Sequence, residues 1–186
     1  METLLLNDLD AIDEIKLVFK NNNIKINLKN SYHIEDISVD TTGILITKEF
    51  EPTFLKPFID FSVKKNLKVL AVDRAIISLI NVLKNTNEKI DRPFSGNNST
   101  FISLGSRLAE IIGGAGTLNT NFDNSYEIPI NKIPLNYLPS SINLNNGCIE
   151  ALESEASGNI LGVVWPILSS EKMPSRFENI LSWISD

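Results

Sequence analysis

The sequence predicts an α/β protein, a doubly wound, mostly parallel sheet flanked by helices, with a β-rich C-terminal half. Three observations carry that expectation. In the first half, short aliphatic or β-branched runs alternate with stretches of helical periodicity, the pattern left by successive βαβ units. Lys68–Val72 is a compact apolar run between two such stretches, as suits a strand buried on both faces. Beyond Thr100 the apolar runs come closer together, and Asn146-Gly147 offers a hairpin turn of type I′.

Taken in order, an amphipathic helix is expected over Asp8–Lys20, carrying Leu9, Ile12, Ile15, Leu17 and Phe19. Ile24–Leu28 and Gly43–Thr47 read as strands. Between Pro52 and Asn66, the near-helical spacing of Phe54, Leu55, Phe58, Ile59 and Phe61 predicts a second helix, and a third runs over Arg74–Leu83. Lys84–Ser99 is polar, contains Pro93 and Gly96, and reads as a loop. Thr100–Leu104 is a strand, Ser106–Ile112 a short helix, Ile142–Leu152 the hairpin and Ile160–Trp165 a buried strand. The closing helix, Ser175–Ile184, places Phe177, Ile180, Leu181 and Ile184 on one face. With 186 residues, 42% of them hydrophobic, the chain is expected to form one domain over 1–186 around its own core.

Composition narrows the function. A formal charge of −6, with both signs interspersed, leaves no basic stripe to follow a phosphate backbone, so nucleic acid is not an expected partner. Nothing approaches the roughly 20 apolar residues of a membrane span, and the acidic start is unlike a signal peptide; the expectation is a cytoplasmic protein without membrane contact. Cys148 and His33 are the only residues of their kinds. An internal disulfide is impossible, no metal or cofactor is expected, and a Cys–His or Ser–His mechanism within one chain would have to use these two residues.

Five blocks resemble the gamma-glutamyl hydrolase branch (gamma-glutamyl-gamma-aminobutyrate hydrolases included) of the class I glutamine amidotransferase-like superfamily. Gly43-Ile44-Leu45-Ile46-Thr47-Lys48-Glu49-Phe50-Glu51-Pro52 is similar to D-G-L-L-L-P-G-G-x-D-x-x-P, with Lys48 and Glu49 at the glycine pair. Lys68-Val69-Leu70-Ala71-Val72-Asp73-Arg74-Ala75 resembles the elbow K-P-V-L-G-I-C-R-G, with Asp73 at the cysteine. Ser103-Leu104-Gly105-Ser106-Arg107-Leu108-Ala109-Glu110-Ile111-Ile112-Gly113 is similar to P-G-S-x-L-A-x-I-L-G. The family's following V-N-S-x-H-H-Q is matched at Leu118-Asn119-Thr120, with Phe122 and Asp123 at the histidines. Asn146–Glu153 resembles D-G-x-I-E-A-I-E, and Leu161–Trp165 resembles L-G-V-Q-W, after which Pro166, Ile167 and Leu168 stand at the family's H-P-E.

The resemblance implies a flavodoxin-like fold and a site in which cysteine, histidine and glutamate have become Asp73, Pro166 and Leu168. It also implies that Glu150 and Pro166 lie near Asp73. The degenerate triad favours a pseudoenzyme acting through binding or assembly, with a partner protein, a second copy of itself or a small gamma-glutamyl-type ligand as partner. Lys48, Glu49, Asp73, Arg74 and Asp123 are the binding candidates, and the alanines at 71 and 75, in place of the family's glycines, are expected to crowd the elbow turn, because alanine is penalised at positive φ where glycine is not. Two alternatives stand beside this reading: a hydrolase of gamma-glutamyl amides using an altered constellation of Asp73, Arg74 and Asp123, and a subunit whose site is completed by a partner chain. Other candidates have plainer explanations. Cys148 reads as a structural thiol, His33 as a surface residue, Ser103 as a strand residue outside any G-x-S-x-G elbow, and Gly113-Gly114-Ala115-Gly116 as a turn without the Lys-Ser/Thr of a phosphate loop. Arg74 and Arg107 would by default sit on solvated helix faces.

Overall fold

The computed structural model describes residues 2–7, 12–90, 98–120, 126–156, 158–168 and 174–185. They form nine strands, β1 (Glu2–Leu6), β2 (Leu28–Asn30), β3 (Thr41–Ile46), β4 (Lys68–Val72), β5 (Asn98–Ile102), β6 (Gly116–Thr120), β7 (Tyr137–Asn143), β8 (Ile149–Ser154) and β9 (Ile160–Val163). Five helices accompany them: α1 (Ile12–Asn21), α2 (Pro52–Lys65), α3 (Ala75–Lys84), α4 (Arg107–Ile112) and α5 (Glu178–Ser185). The strands join one sheet in the order β2-β1-β3-β4-β9-β8-β7-β5-β6. From β2 to β9 every pairing is parallel, and from β9 to β6 every pairing is antiparallel, so the β-rich C-terminal half extends a doubly wound α/β sheet.

Helices cover both faces, and strand parity shows which helix covers which. Lys68 and Ala71 are three residues apart on β4, so their side chains point to opposite sides. Lys68 pairs with Gly43, where an added Cβ would meet Ile184 of α5 at 2.9 Å; Ala71 pairs with Gly162, where it would meet Ile76 of α3 at 2.8 Å. α3 and α5 therefore lie on opposite faces. Both glycines are sites of close helix–sheet approach. Gly162→Ala is expected to cost about 1–3 kcal/mol by overpacking Ile76 and Leu79, read as a lowered urea midpoint with unchanged slope; an unaltered midpoint would mean that α3 moves aside freely.

The core confirms the buried run, since Val69, Leu70 and Ala71 are wholly inaccessible and β4 lies between β3 and β9. Several boundaries differ from the sequence reading by one to three residues, as at β3 (Thr41–Ile46), β5 (Asn98–Ile102), β9 (Ile160–Val163) and α5 (Glu178–Ser185), and other elements need a separate account. β1 was not expected, because Thr3-Leu4-Leu5-Leu6 is too short an apolar run to separate from the helix after it. That helix begins at Ile12 among the described residues, and the expected start at Asp8 lies outside them. Ile24–Leu28 alternates like a strand, but only Leu28–Asn30 pairs. Asn23 takes the left-handed conformation (φ 58°) and Ile24 N–H returns to Phe19 C=O, so Ile24 belongs to the helix C-cap. The β7–β8 hairpin closes between Asn143 and Cys148 over four residues, not two. Gly147 has φ 69° and Asn146 is not left-handed, so the turn is not type I′.

Candidate functional site

Where β1, β3, β4 and β9 end, the chain turns outward at Asn7, Thr47, Asp73 and Pro166, and these residues share a cavity of about 200 Å³. Its position follows from topology. The chain steps from β1 to β2 on one side and then from β3 to β4 on the other, so the strand order reverses between β1 and β3; crevices at such carboxyl edges are the usual binding sites of open α/β sheets.

Asp73 is the strained point. It has φ 52°, in the region where a residue with a Cβ is held at a cost of about 1–2 kcal/mol, and it links β4 directly to Arg74, the N-cap of α3. Such a sharp strand-to-helix turn lifts one side chain above the sheet edge. Ala71 and Ala75 are fully buried and neither has positive φ, so the expected crowding at those alanines is not found and the strain rests on Asp73 alone. Burial raises the Asp73 carboxyl above its ordinary value. The Arg74 backbone N–H, the Arg74 charge and the Tyr126 hydroxyl oppose that shift, and Glu49 adds to it. An acid with a raised folded pKa is penalised above that pKa and recovers stability as pH falls towards its unfolded value. Asp73→Asn, which removes the charge and tolerates the left-handed turn, is therefore expected to melt above wild type at pH 7, with the difference closing as pH falls to about 4. A gap that widens on acidification would contradict this.

Two cations follow the ends of β3 and β4, and neither lines the cavity. Arg74 ion-pairs with the exposed Glu49 and sits over the Tyr126 ring, 5.4 Å from its centroid. Lys48 lies over the Phe50 and Tyr32 rings at 5.1 and 5.8 Å. Phe50 N–H donates to Ser78 Oγ at 2.8 Å, which ties the loop after β3 to α3. Pro166 and Leu168 do line the cavity with Asp73, as the resemblance implied. Glu150 does not. It is buried on β8, accepts hydrogen bonds from Thr100 and Asn143, and belongs to the antiparallel half of the sheet. Asp123 lies outside the described residues.

The remaining candidates occupy ordinary structural positions. His33 is exposed at the start of a short 3₁₀ turn. Half-buried Cys148 holds its sulfur 3.9 Å from Glu127. Ser103 Oγ donates to Pro139 O, Ser106 caps α4, and Gly113 ends α4 at φ 73°. Arg107 pairs with Glu110 on the surface. Among the described residues no group of three His, Cys, Asp or Glu side chains could hold a metal ion. No described helix is long and apolar enough to cross a membrane. Sequence reasoning missed Asn7, Glu14 and Thr47 of the lining and also Tyr126, 2% exposed, its hydroxyl 3.4 Å from Val164 O and turned to Asp73. Only its alternation with buried Ile128 hinted at burial, and nothing local tied it to Asp73.

No family model and no curated protein matches the chain. Solved structures do. The glutaminase domain of Trypanosoma brucei CTP synthase, with bound acivicin, is 14% identical over 98% of this chain and 92% of that one, at a TM-score of 0.67. A GMP synthase subunit from Thermoplasma acidophilum is 11% identical over 99% and 92%, at 0.70. A Thermotoga maritima glutamine amidotransferase is 11% identical over 99% and 80%, at 0.63. The protein therefore has the fold of class I glutamine amidotransferase domains.

Proposed function

We propose that the protein is a degenerate relative of the gamma-glutamyl hydrolase branch, inert towards gamma-glutamyl amides and acting as a binding or assembly domain. The observation that carries the reading is the state of the elbow. In enzymes built this way the backbone N–H after the nucleophile is an oxyanion donor; here the residue at the nucleophile position is itself a carboxyl, whose charged form the adjacent Arg74 N–H favours. Pro166 and Leu168, at the places of base and orienting acid, have no proton to exchange.

A second reading has one observation in its favour. A carboxyl shifted upward by burial, in a cleft and beside an arginine, is a candidate catalytic group, which would make the protein a hydrolase working through Asp73 and Arg74. Turnover of glutamine and gamma-glutamyl substrates by wild type and Asp73→Ala, measured side by side, decides between them. Inactivity of both supports the binding domain. Robust wild-type activity that vanishes in Asp73→Ala makes Asp73 a working catalytic residue and overturns it.

A further inference from the structure

We propose that the cavity at the carboxyl edge binds a small aliphatic primary amine, as its ammonium ion; the inference rests on the non-catalytic reading above and names the ligand class of that site. Asn7 is the first reason. It is 8% exposed, lines the cavity, and its backbone O takes the Tyr32 hydroxyl, while its side-chain amide has no hydrogen-bond partner among the described residues. That amide is not among the polar atoms sealed from solvent, so it stands open towards the cavity, where a ligand can take the place of the water it meets.

Charge is the second reason. Among the described residues, the charged side chains lining the cavity are Asp73 and Glu14, both acidic, while Arg74 pairs with Glu49 and Lys48 lies over the Phe50 and Tyr32 rings. An anionic ligand would meet two carboxylates, and a cation would compensate a partly desolvated one. Hydrogen-bond polarity agrees. Thr47 commits its hydroxyl proton to Leu6 O at 3.3 Å, leaving its oxygen lone pairs to accept. The Asp73 carboxylate and the Asn7 side-chain oxygen also accept, so the three can receive the three N–H donors of an ammonium.

Size and lining set the rest of the ligand. About 200 Å³ is below the roughly 300–1,000 Å³ of sites for drug-sized molecules. Ile15, Val72, Pro166 and Leu168 make the remaining wall apolar, which suits a short hydrocarbon tail.

The test holds the tail constant and changes the head. Amide chemical shifts of the full-length protein are followed during titration with n-butylammonium, n-butanol and butyrate at pH 7.5. Saturable shifts at Asn7, Thr47 and Asp73 are expected with n-butylammonium alone. Asp73→Asn is expected to weaken binding about tenfold or more, and Glu14→Gln, an exposed change that leaves the fold alone, to weaken it by a smaller factor. Asp60→Asn, an exposed carboxylate of α2 that pairs with Lys56 and does not line the cavity, should leave it unaltered. Equal response to butanol or butyrate, no saturable shift at these residues, or undiminished binding in both Asp73→Asn and Glu14→Gln would overturn the proposal. Turnover is measured on the same samples. Missing amine binding in an inactive protein sinks this inference alone, whereas gamma-glutamyl hydrolysis sinks the reading beneath it.

Discussion

A protein carrying Asp73→Cys and Pro166→His together is expected to show no detectable hydrolysis of glutamine, gamma-glutamyl-GABA or a chromogenic gamma-glutamyl anilide, the same outcome that the proposed binding role predicts for the wild type. Nucleophile, base and oxyanion donors act as a unit, and loss of nucleophile or base alone in a hydrolase costs on the order of 10⁶ in turnover. The double variant restores two members of that unit. Leu168 still offers nothing to orient the new histidine, and the loop after β3 still carries Lys48 and Glu49 where the resembling family has two glycines. That loop is also tied down, Glu49 to Arg74 and Phe50 N–H to Ser78, which opposes the rearrangement needed to present two amides to an oxyanion. The left-handed turn at position 73 is kept, so failure would not be due to loss of the elbow. Cys148 should likewise escape labelling by diazo-oxo-norleucine, because its sulfur is half-buried, lies 3.9 Å from Glu127 and does not line the Asp73 cavity. Turnover in the double variant would show that the oxyanion donors survive and that inactivity resides at two side chains.

The parallel half of the sheet was legible because its signals are local and strong. The apolar run Val69-Leu70-Ala71-Val72 of β4, the spaced Phe54, Leu55, Phe58 and Ile59 of α2, and the terminal face of Phe177, Ile180, Leu181 and Ile184 each identify an element without reference to the rest of the chain. What was not legible depends on long-range pairing. β1 is five residues long, and its inner place between β2 and β3 is defined only once both neighbours exist. The same holds at the site. Asp73 and Pro166 could be placed together through the resemblance, but Asn7 and Tyr126 reach the same cluster from distant parts of the chain, one after a strand that the sequence concealed. The resemblance also put Glu150 near Asp73, but motif alignment carries no information about which way a side chain turns from its strand, and Glu150 does not line the Asp73 cavity. It turns to Thr100 on β5 and Asn143 on β7.

That placement gives Glu150 a large and pH-dependent effect on stability. Glu150→Ala is expected to destabilise the protein by about 2–4 kcal/mol, because it leaves Thr100 and Asn143 as buried polar groups without their shared acceptor. Thr100 is also in contact with Thr120 at 3.1 Å, so the loss reaches across β5 to β6. Glu150→Gln should behave differently. Burial raises the Glu150 carboxyl above its ordinary value, against hydrogen bonds from Thr100, Asn143 and Trp165 that favour the charged form. The folded protein thus prefers a neutral group there, and glutamine supplies one of nearly the same shape, able to accept from Asn143 and to exchange a hydrogen bond with Thr100. The sign follows from linkage. Above the raised folded pKa, wild type carries a desolvated charge that its unfolded chain solvates freely, and as pH falls from there towards the unfolded value near 4.5 the folded state takes up a proton first and regains stability. Glu150→Gln should accordingly equal or exceed wild type at pH 7 and lose that advantage by about pH 4.5, while Glu150→Ala stays low throughout. Urea unfolding of the three proteins at pH 7 and pH 4.5 measures this directly. If Gln is as damaging as Ala at pH 7, the charge itself holds β5, β7 and β8 together, and the buried carboxylate is ionised in the native sheet.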